Sequence, residues 1–128
     1  MAGFDLVGIV TRDMAASLAF YQLLGLDCPP GSAAESHVEI TLPGGLRMAW
    51  DTLDMMQNLY PEWPRGDGQR ITLAFNCDTP AAVDTLYAKV TEAGYRGQQA
   101  PWDAFWGQRY AVVIDPDGNW IDLFAAQA

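Results

Sequence analysis

Hydrophobic and polar positions alternate most clearly between residues 109 and 124. The stretch 109–114 is rich in β-branched and aromatic residues, which is typical of a half-buried strand. The residues Asp115-Pro116-Asp117-Gly118 are typical of a tight turn, because proline presets φ and glycine tolerates a positive φ. Residues 119–124 resume the alternation. The pattern therefore predicts a β-hairpin that turns at 115–118.

The returning strand of this hairpin is predicted to have two different faces, since successive side chains of a strand point to opposite sides. Ile121 and Leu123 form an apolar face, whereas Trp120, Asp122 and Phe124 share the other. A carboxylate between two aromatic rings is typical of the wall of a partly polar cavity. In the alternative interpretation, both rings belong to the core and Asp122 lies at its rim. Spacing alone leaves both interpretations open.

Two stretches with helical spacing follow two candidate N-cap residues. The first begins after Asp13 and ends near Gly25, and the second begins after Asp78 and ends near Gly94. A strand is predicted before each helix, at 4–11 and at 70–77. A hairpin is predicted at 36–42 and 45–50, and a short strand at 95–101 before an aromatic loop. The stretch 51–68, with its prolines and glycines, is predicted to be an irregular linker or lid.

The two halves of the chain therefore repeat one order of elements. Each half has a strand, a helix that ends at a glycine, and about three further strands. This order predicts an α+β fold of two βαβββ modules, at 1–60 and 70–128, with a linker at 61–69 inside one structural domain. Such modules form curved mixed sheets, and we expect the two sheets to enclose a cavity.

Composition limits the classes of partner. The 128 residues are 50% hydrophobic, which is enough for a sizeable core, and no apolar run reaches the ~20 residues of a membrane span. Seven basic and sixteen acidic residues give a net charge of −9, which argues against nucleic acid and anionic membranes but permits a cationic ligand. No signal peptide is evident. Cys28 and Cys77 are expected to be free thiols, and the protein to be cytoplasmic.

Two motifs resemble the vicinal oxygen chelate superfamily, which includes glyoxalase I, extradiol dioxygenases, fosfomycin-resistance enzymes and bleomycin-resistance binding proteins. The first motif is VTRDMAASLAFY at 10–21 with LGL at 24–26, and the second is WGQRY at 106–110 leading into DPDGNWIDL at 115–123. The resemblance covers essentially the whole chain and implies the same fold. The Pro-Trp and Trp-Gly-Gln-Arg residues before the turn resemble the bleomycin-resistance branch, whose members bind a drug without transforming it.

The resemblance also implies where a metal ion would bind. Metal-dependent members use His, Gln or Glu on inward strand faces, and the matching positions here are Leu6, Thr72 and Asp122. Leucine cannot bind a cation and threonine is a poor ligand. Because His37 is the single histidine, a site of two histidines and one carboxylate is impossible within one protomer. The resemblance with these substitutions implies a protein that uses no metal and no other cofactor.

Indole and phenol side chains are the remaining candidates for ligand contact, because indole is large, rarely fully buried, and has an N–H that needs a partner. The alternative for each tryptophan is the core or a dimer interface, and for His37 a place on the surface or in the packing of the hairpin. The predicted ligand-binding residues are Trp50, Trp63, Trp102, Trp106, Tyr110, Trp120, Asp122, Glu39 and His37.

The main hypothesis is a homodimeric, metal-free protein that sequesters a planar aromatic natural product or antibiotic, for drug resistance or self-protection. The acidic composition allows that ligand to be cationic. No catalytic residue is predicted, although a role of Tyr110 or Asp122 as a general acid or base stays open. One alternative is a metal-dependent lyase or isomerase of the glyoxalase type, with a degenerate site at His37, Glu39 and Asp122. Another is an accessory domain with a vestigial pocket.

Overall fold

The structure is a computed structural model that describes residues 4–63 and 72–127. The chain divides into two compact units, Met1–Gly66 and Asp67–Ala128. This division falls inside the linker predicted at 61–69, although most of that linker lies outside the described residues. No helix within 4–63 or 72–127 is long and apolar enough to cross a membrane.

The first unit contains a three-stranded sheet with the strand order β1-β3-β2. β1 runs parallel to β3, and β2 runs antiparallel to it. A short 3-10 turn lies at Ser32–Ala34. The bounds of the main elements are β1 Leu6–Thr11, α1 Met14–Leu23, β2 His37–Thr41, β3 Arg47–Thr52 and α2 Leu53–Leu59.

Helix α1 begins and ends where the sequence predicts. The side chain of Asp13 accepts a hydrogen bond from the backbone N–H of Ala16 at 3.0 Å, so Asp13 is the N-cap. Gly25 follows the helix with φ of +96°, which glycine adopts without strain. Phe20 and Tyr21 are fully buried and form part of the core of the first unit.

The prediction of an irregular stretch after residue 50 is wrong for its first part. Residues 53–59 form α2, capped by Thr52, whose hydroxyl accepts a hydrogen bond from the N–H of Met55 at 3.2 Å. Asp54 lies in the first turn, where a negative charge favours the helix dipole. The prolines and glycines that suggest irregularity begin only at Pro61. Within residues 4–63, a helix therefore follows β3 where the repeat predicts another strand.

The second unit has the predicted βαβββ order. Its four-stranded sheet has the order β4-β7-β6-β5, in which β4 runs parallel to β7 and the other pairs are antiparallel. The pairing of β5 with β6 shifts register between Gly97 and Gln99 and again between Gln99 and Trp102. The elements are β4 Leu73–Asn76, α3 Pro80–Glu92, β5 Arg96–Ala104, β6 Gln108–Ile114 and β7 Trp120–Ala126.

Two boundaries in this unit differ from the prediction. The N-cap of α3 is Thr79, whose hydroxyl accepts from the N–H of Ala82 at 3.1 Å, whereas Asp78 has φ of +72°. Pro80 explains the difference, because proline favours the first helical position and the cap directly precedes it. Strand β5 also continues to Ala104, so Trp102 belongs to a strand and not to a loop.

The predicted turn between β6 and β7 is confirmed. Asp115 is buried, and its carboxylate accepts hydrogen bonds from the backbone N–H groups of Asp117 and Asn119 and from the Asn119 side chain, at 2.8–2.9 Å. Gly118 has φ of +90°. The turn is therefore built around one carboxylate, which aligns β7 with β6.

Candidate ligand-binding face

The sheet of the second unit presents two different faces. Helix α3 packs against β5, β6 and β7, and Ile121 and Leu123 of β7 are fully buried with Val83 of the helix. On the opposite side of β7, Trp120, Asp122 and Phe124 remain partly exposed. The predicted division of this strand into an apolar and a mixed face is therefore confirmed. We call the side that carries Asp122 the ring face.

Four aromatic side chains meet on the ring face, because directly paired residues of neighbouring strands share a face. Tyr110 of β6 pairs with Trp102 of β5 and with Phe124 of β7. The ring centroids of Trp102 and Trp106 lie 5.5 Å apart, those of Trp106 and Tyr110 5.3 Å apart, and those of Tyr110 and Phe124 6.4 Å apart. We call Trp102, Trp106, Tyr110 and Phe124 the ring cluster.

Trp106 is held by the turn between β5 and β6. Gly107 has φ of +89°, a conformation that side chains other than glycine rarely adopt. The indole N–H of Trp106 donates a hydrogen bond to Oε1 of Gln108 at 2.8 Å. The side chains of Trp102 and Trp106 are 37% and 48% exposed. Their rings therefore offer accessible aromatic surface in a defined orientation.

A phenol and a carboxylate are joined beside these rings. The Tyr110 hydroxyl donates to Oδ2 of Asp122 at 2.5 Å, the short distance of a charge-assisted hydrogen bond. Burial, together with the hydrogen bond and the charge of Asp122, raises the pKa of Tyr110 to about 12. Tyr110 thus stays protonated at neutral pH and acts as a donor. The two oxygens of a carboxylate offer about four acceptor positions, so Asp122 retains capacity to accept from a ligand.

Two predicted residues of β2, His37 and Glu39, lie among charged side chains of the first unit. Nδ1 of His37 lies 2.5 Å from Oδ1 of Asp51, and its Nε2 lies 3.9 Å from Oε2 of Glu39. Glu39 also accepts a hydrogen bond from Arg47 at 2.9 Å. Both side chains are exposed and belong to a network of charges within this unit. Such a network accounts for the two residues without a ligand.

The remaining predicted tryptophans lie in three different settings. Trp50 is fully buried in the first unit, with its ring centroid 5.7 Å from that of Tyr21, so it is a core residue with no surface for a ligand. Trp63 is half-buried after α2. Trp120 is 44% exposed on the ring face, but it lies four residues from Phe124 along β7, about 13 Å at the usual rise of a strand.

Two residues of the site were not among the predicted ligand-binding residues. Phe124 completes the ring cluster, and the Trp-x-Asp-x-Phe alternation already placed it on the same face as Asp122. Gln108 orients Trp106 through a hydrogen bond between residues two apart. Its presence in the Trp-Gly-Gln-Arg motif was the available signal, but the motif does not show which way a side chain points.

The residues at the positions implied for a metal ion do not fit one. Leu6 has no donor atom, Thr72 has only a hydroxyl, and Asp122 is engaged by Tyr110. Across residues 4–63 and 72–127, no group of three or more His, Cys, Asp and Glu side chains is placed to hold a metal ion. The donor set therefore gives no basis for a step that uses a metal.

Comparison with known proteins identifies the family. Residues 3–123 match the model of the Glyoxalase/Bleomycin resistance protein/Dioxygenase superfamily. No protein of curated function matches the chain.

Solved structures show the same fold over nearly the whole chain. A glyoxalase/bleomycin resistance protein/dioxygenase family enzyme from Burkholderia phytofirmans PsJN is 24% identical, with a TM-score of 0.83 over 98% of this chain and 99% of that chain. A glyoxalase/bleomycin resistance protein from Albidiferax ferrireducens T118 is 27% identical, with a TM-score of 0.70 over 95% and 97%. A glyoxalase-related enzyme from Fulvimarina pelagi is 17% identical, with a TM-score of 0.83 over 98% and 88%. The chain belongs to the glyoxalase/bleomycin resistance protein/dioxygenase superfamily.

Proposed function

We propose that this protein binds and sequesters a planar aromatic molecule that carries a positive charge, without a metal ion and without transforming the ligand. The observation that carries the proposal is the ring cluster with Asp122 beside it. Two indoles with accessible surface adjoin a phenol whose hydroxyl is hydrogen-bonded to a carboxylate. A natural product or antibiotic with a flat heteroaromatic ring has the matching chemistry, and its sequestration would serve resistance or self-protection.

Stacking supplies the first part of the expected affinity. Trp102, Trp106 and Tyr110 meet edge to face, at interplanar angles of 88° and 77°. An exposed ring in such an arrangement still has a free face on which a flat ligand can stack, and an aromatic contact contributes ~0.5–1.5 kcal/mol beyond the area that it buries. The two indoles are the parts of the cluster with the most exposed surface.

Charge supplies the selectivity. Asp122 is the carboxylate of the ring face, and Tyr110 donates to it as a neutral phenol. A ligand cation next to Asp122 gains Coulomb attraction from the carboxylate and ~0.5–2 kcal/mol from each aromatic face that it contacts. An anionic ligand of the same shape would be repelled by Asp122 and by the net charge of −9. The proposal therefore favours cationic over anionic planar molecules.

Titration of tryptophan fluorescence with two planar dyes tests the proposal. We expect saturable quenching by the cation proflavine and much weaker quenching by the anion anthracene-1-sulfonate. Trp106→Ala should weaken proflavine binding about 10-fold or more, as removal of a tryptophan at the centre of a binding site typically does. Asp122→Asn should weaken proflavine binding about 5-fold, since it removes roughly 1 kcal/mol of charge interaction. The same substitution should strengthen binding of the anion, because it removes the repulsion by the Asp122 carboxylate.

Phe4→Ala is the matched control, because Phe4 is an exposed aromatic residue of the first unit. It should bind proflavine as the wild type does. Equal affinity of Trp106→Ala and the wild type would remove the ring cluster from the site. Quenching that appears only after Zn²⁺ or Mn²⁺ is added, and that EDTA abolishes, would instead favour the metal-dependent lyase or isomerase.

A further inference from the structure

A polar network lies on the α3 side of the second sheet, directly behind the ring cluster. Arg109 of β6 donates through Nη1 to Oδ1 of Asp103 at 3.1 Å and through Nε to Oδ1 of Asp84 at 3.0 Å. The side-chain amide of Gln127 also donates to Oδ1 of Asp103. We call Asp84, Asp103, Arg109 and Gln127 the rear network.

Gln127 contacts both the turn that carries Trp106 and the end of β5 that leads into it. The backbone N–H of Gln127 donates to the carbonyl oxygen of Gly107 at 3.0 Å, while the Gln127 side chain reaches Asp103 on β5. Strand β6 lies between β7 and β5. Gln127, which follows β7, therefore reaches across the end of β6 to β5. One residue after β7 thus holds β5 and the turn at two separate points.

We propose that Gln127 and Asp103 are positioning residues for the ring cluster. The inference rests on the proposed function, since it assigns them to the same site. Successive side chains along a strand point to opposite faces. Trp102 and Tyr110 therefore point to the ring face, whereas their neighbours Asp103 and Arg109 point to the α3 side. Three rings of the cluster, those of Trp102, Trp106 and Tyr110, are therefore one residue away from a member of the rear network or from the Gly107 carbonyl that Gln127 holds.

Strand β5 needs such support because its own pairing is irregular. It lies at the edge of the four-stranded sheet, and its register with β6 shifts twice before Trp102. A ladder with these interruptions leaves the last part of the strand less constrained than a continuous one would. The hydrogen bonds to Asp103 restrain β5 immediately after the second shift, at the position that sets the direction of the Trp102 ring.

The rear network is expected to affect binding more than folding. The side chains of Asp84 and Asp103 are 51% and 70% exposed, and ion pairs at such positions add little to stability. Rings held in place before the ligand arrives do not have to be ordered on binding, which improves affinity. Loss of this order should weaken binding roughly 2- to 12-fold for each side chain released.

The test uses Gln127→Ala and Asp103→Leu, with Asp103→Asn as the conservative variant that keeps an acceptor oxygen. Proflavine affinity should fall roughly 2- to 12-fold in the first two and stay near that of the wild type in Asp103→Asn. Melting temperatures should change little in Gln127→Ala. Gln99→Ala is the control, because Gln99 lies on the same strand but its side chain bonds the backbone oxygen of Ala100.

A second measurement needs no ligand. In a background with Trp63→Phe and Trp120→Phe, acrylamide quenches emission from Trp102 and Trp106, since Trp50 is buried. Gln127→Ala should increase this quenching, because the two rings become less ordered. Failure of the wild type to bind proflavine would overturn the proposed function, and the acrylamide measurement would still decide the inference. Quenching unchanged by Gln127→Ala overturns the inference, whatever happens to affinity.

Discussion

The contact between Gly97 of β5 and Tyr87 of α3 gives a quantitative test of how the helix packs against the four-stranded sheet that carries the ring cluster. A Cβ atom added at Gly97 would lie 2.0 Å from Oη of Tyr87, 2.6 Å from Cζ and 3.0 Å from Cε2. Ordinary van der Waals contact begins at 3.4 Å. The phenol ring must therefore retreat by about 1.4 Å if alanine replaces Gly97, or β5 must move away from the helix.

The expected cost of Gly97→Ala is about 2 kcal/mol of unfolding free energy. Overpacking of this kind costs ~1–3 kcal/mol, and the whole ring must move because both Oη and ring carbons are too close. The melting temperature should fall by roughly 8 °C, at about 4 °C per kcal/mol for a chain of this size. Urea denaturation followed by circular dichroism measures the free energy, and a thermal scan measures the melting temperature.

Tyr87→Ala in the Gly97→Ala background separates the clash from other effects. Without the ring the added methyl group has space, so the double variant should show a coupling energy of about 1–3 kcal/mol relative to the two single variants. Gly8→Ala is the control, since a Cβ there meets only Leu6 Cδ2 at 3.7 Å and should not destabilise. A cost below about 0.5 kcal/mol for Gly97→Ala would show that the half-buried Tyr87 ring moves aside without strain, and it would refute the expected clash.

Three further outcomes are expected. The pKa of Tyr110 is raised to about 12 from an ordinary 10.0, which adds stability that is complete below pH 10 and is lost as the pH rises towards 12. Absorbance at 295 nm measures this late ionisation of the phenol. The ionisation should disappear in Tyr110→Phe and move to lower pH in Asp122→Asn. Asp115→Ala should cost about 2–3 kcal/mol in urea denaturation, since it leaves the donors of three hydrogen bonds without an acceptor. Thr79→Ala should cost ~1 kcal/mol of unfolding free energy, because it removes the N-cap of α3. Asp78→Gly should change stability by less than about 0.5 kcal/mol, and a larger cost for Asp78→Gly than for Thr79→Ala would contradict the observed cap.

Local chemistry explains which elements the sequence predicted well. The turn at 115–118 is encoded by adjacent residues, and Asp115 acts on its own neighbours. The cap of α1 at Asp13 is equally local. Helix α2 is not evident from the pattern, because its seven residues directly precede the prolines and glycines that begin at Pro61 and indicate irregular structure. The predicted cap of α3 differs from the observed one by one residue because Asp78 and Thr79 are both good caps, and only the position of Pro80 distinguishes them.

The candidate site was harder to predict because it depends on strand register. Trp50 pairs with Val38 and is directed towards the core, while Asp51 pairs with His37 on the opposite face. A shift of one residue would exchange these faces, and no local signal determines the register of that hairpin. The ring cluster likewise depends on the pairing of Tyr110 with both Trp102 and Phe124, which only the folded sheet provides.

The irregular pairing of β5 has a consequence for solubility. A straight edge strand offers a continuous row of N–H and C=O groups to which another chain can add, and the aromatic side chains Trp102, Phe105 and Trp106 would strengthen such an adduct. In β5, two register shifts and Pro101, which has no N–H, interrupt that row. Phe105, 91% exposed, can therefore lie at the end of an edge strand without providing a template for aggregation.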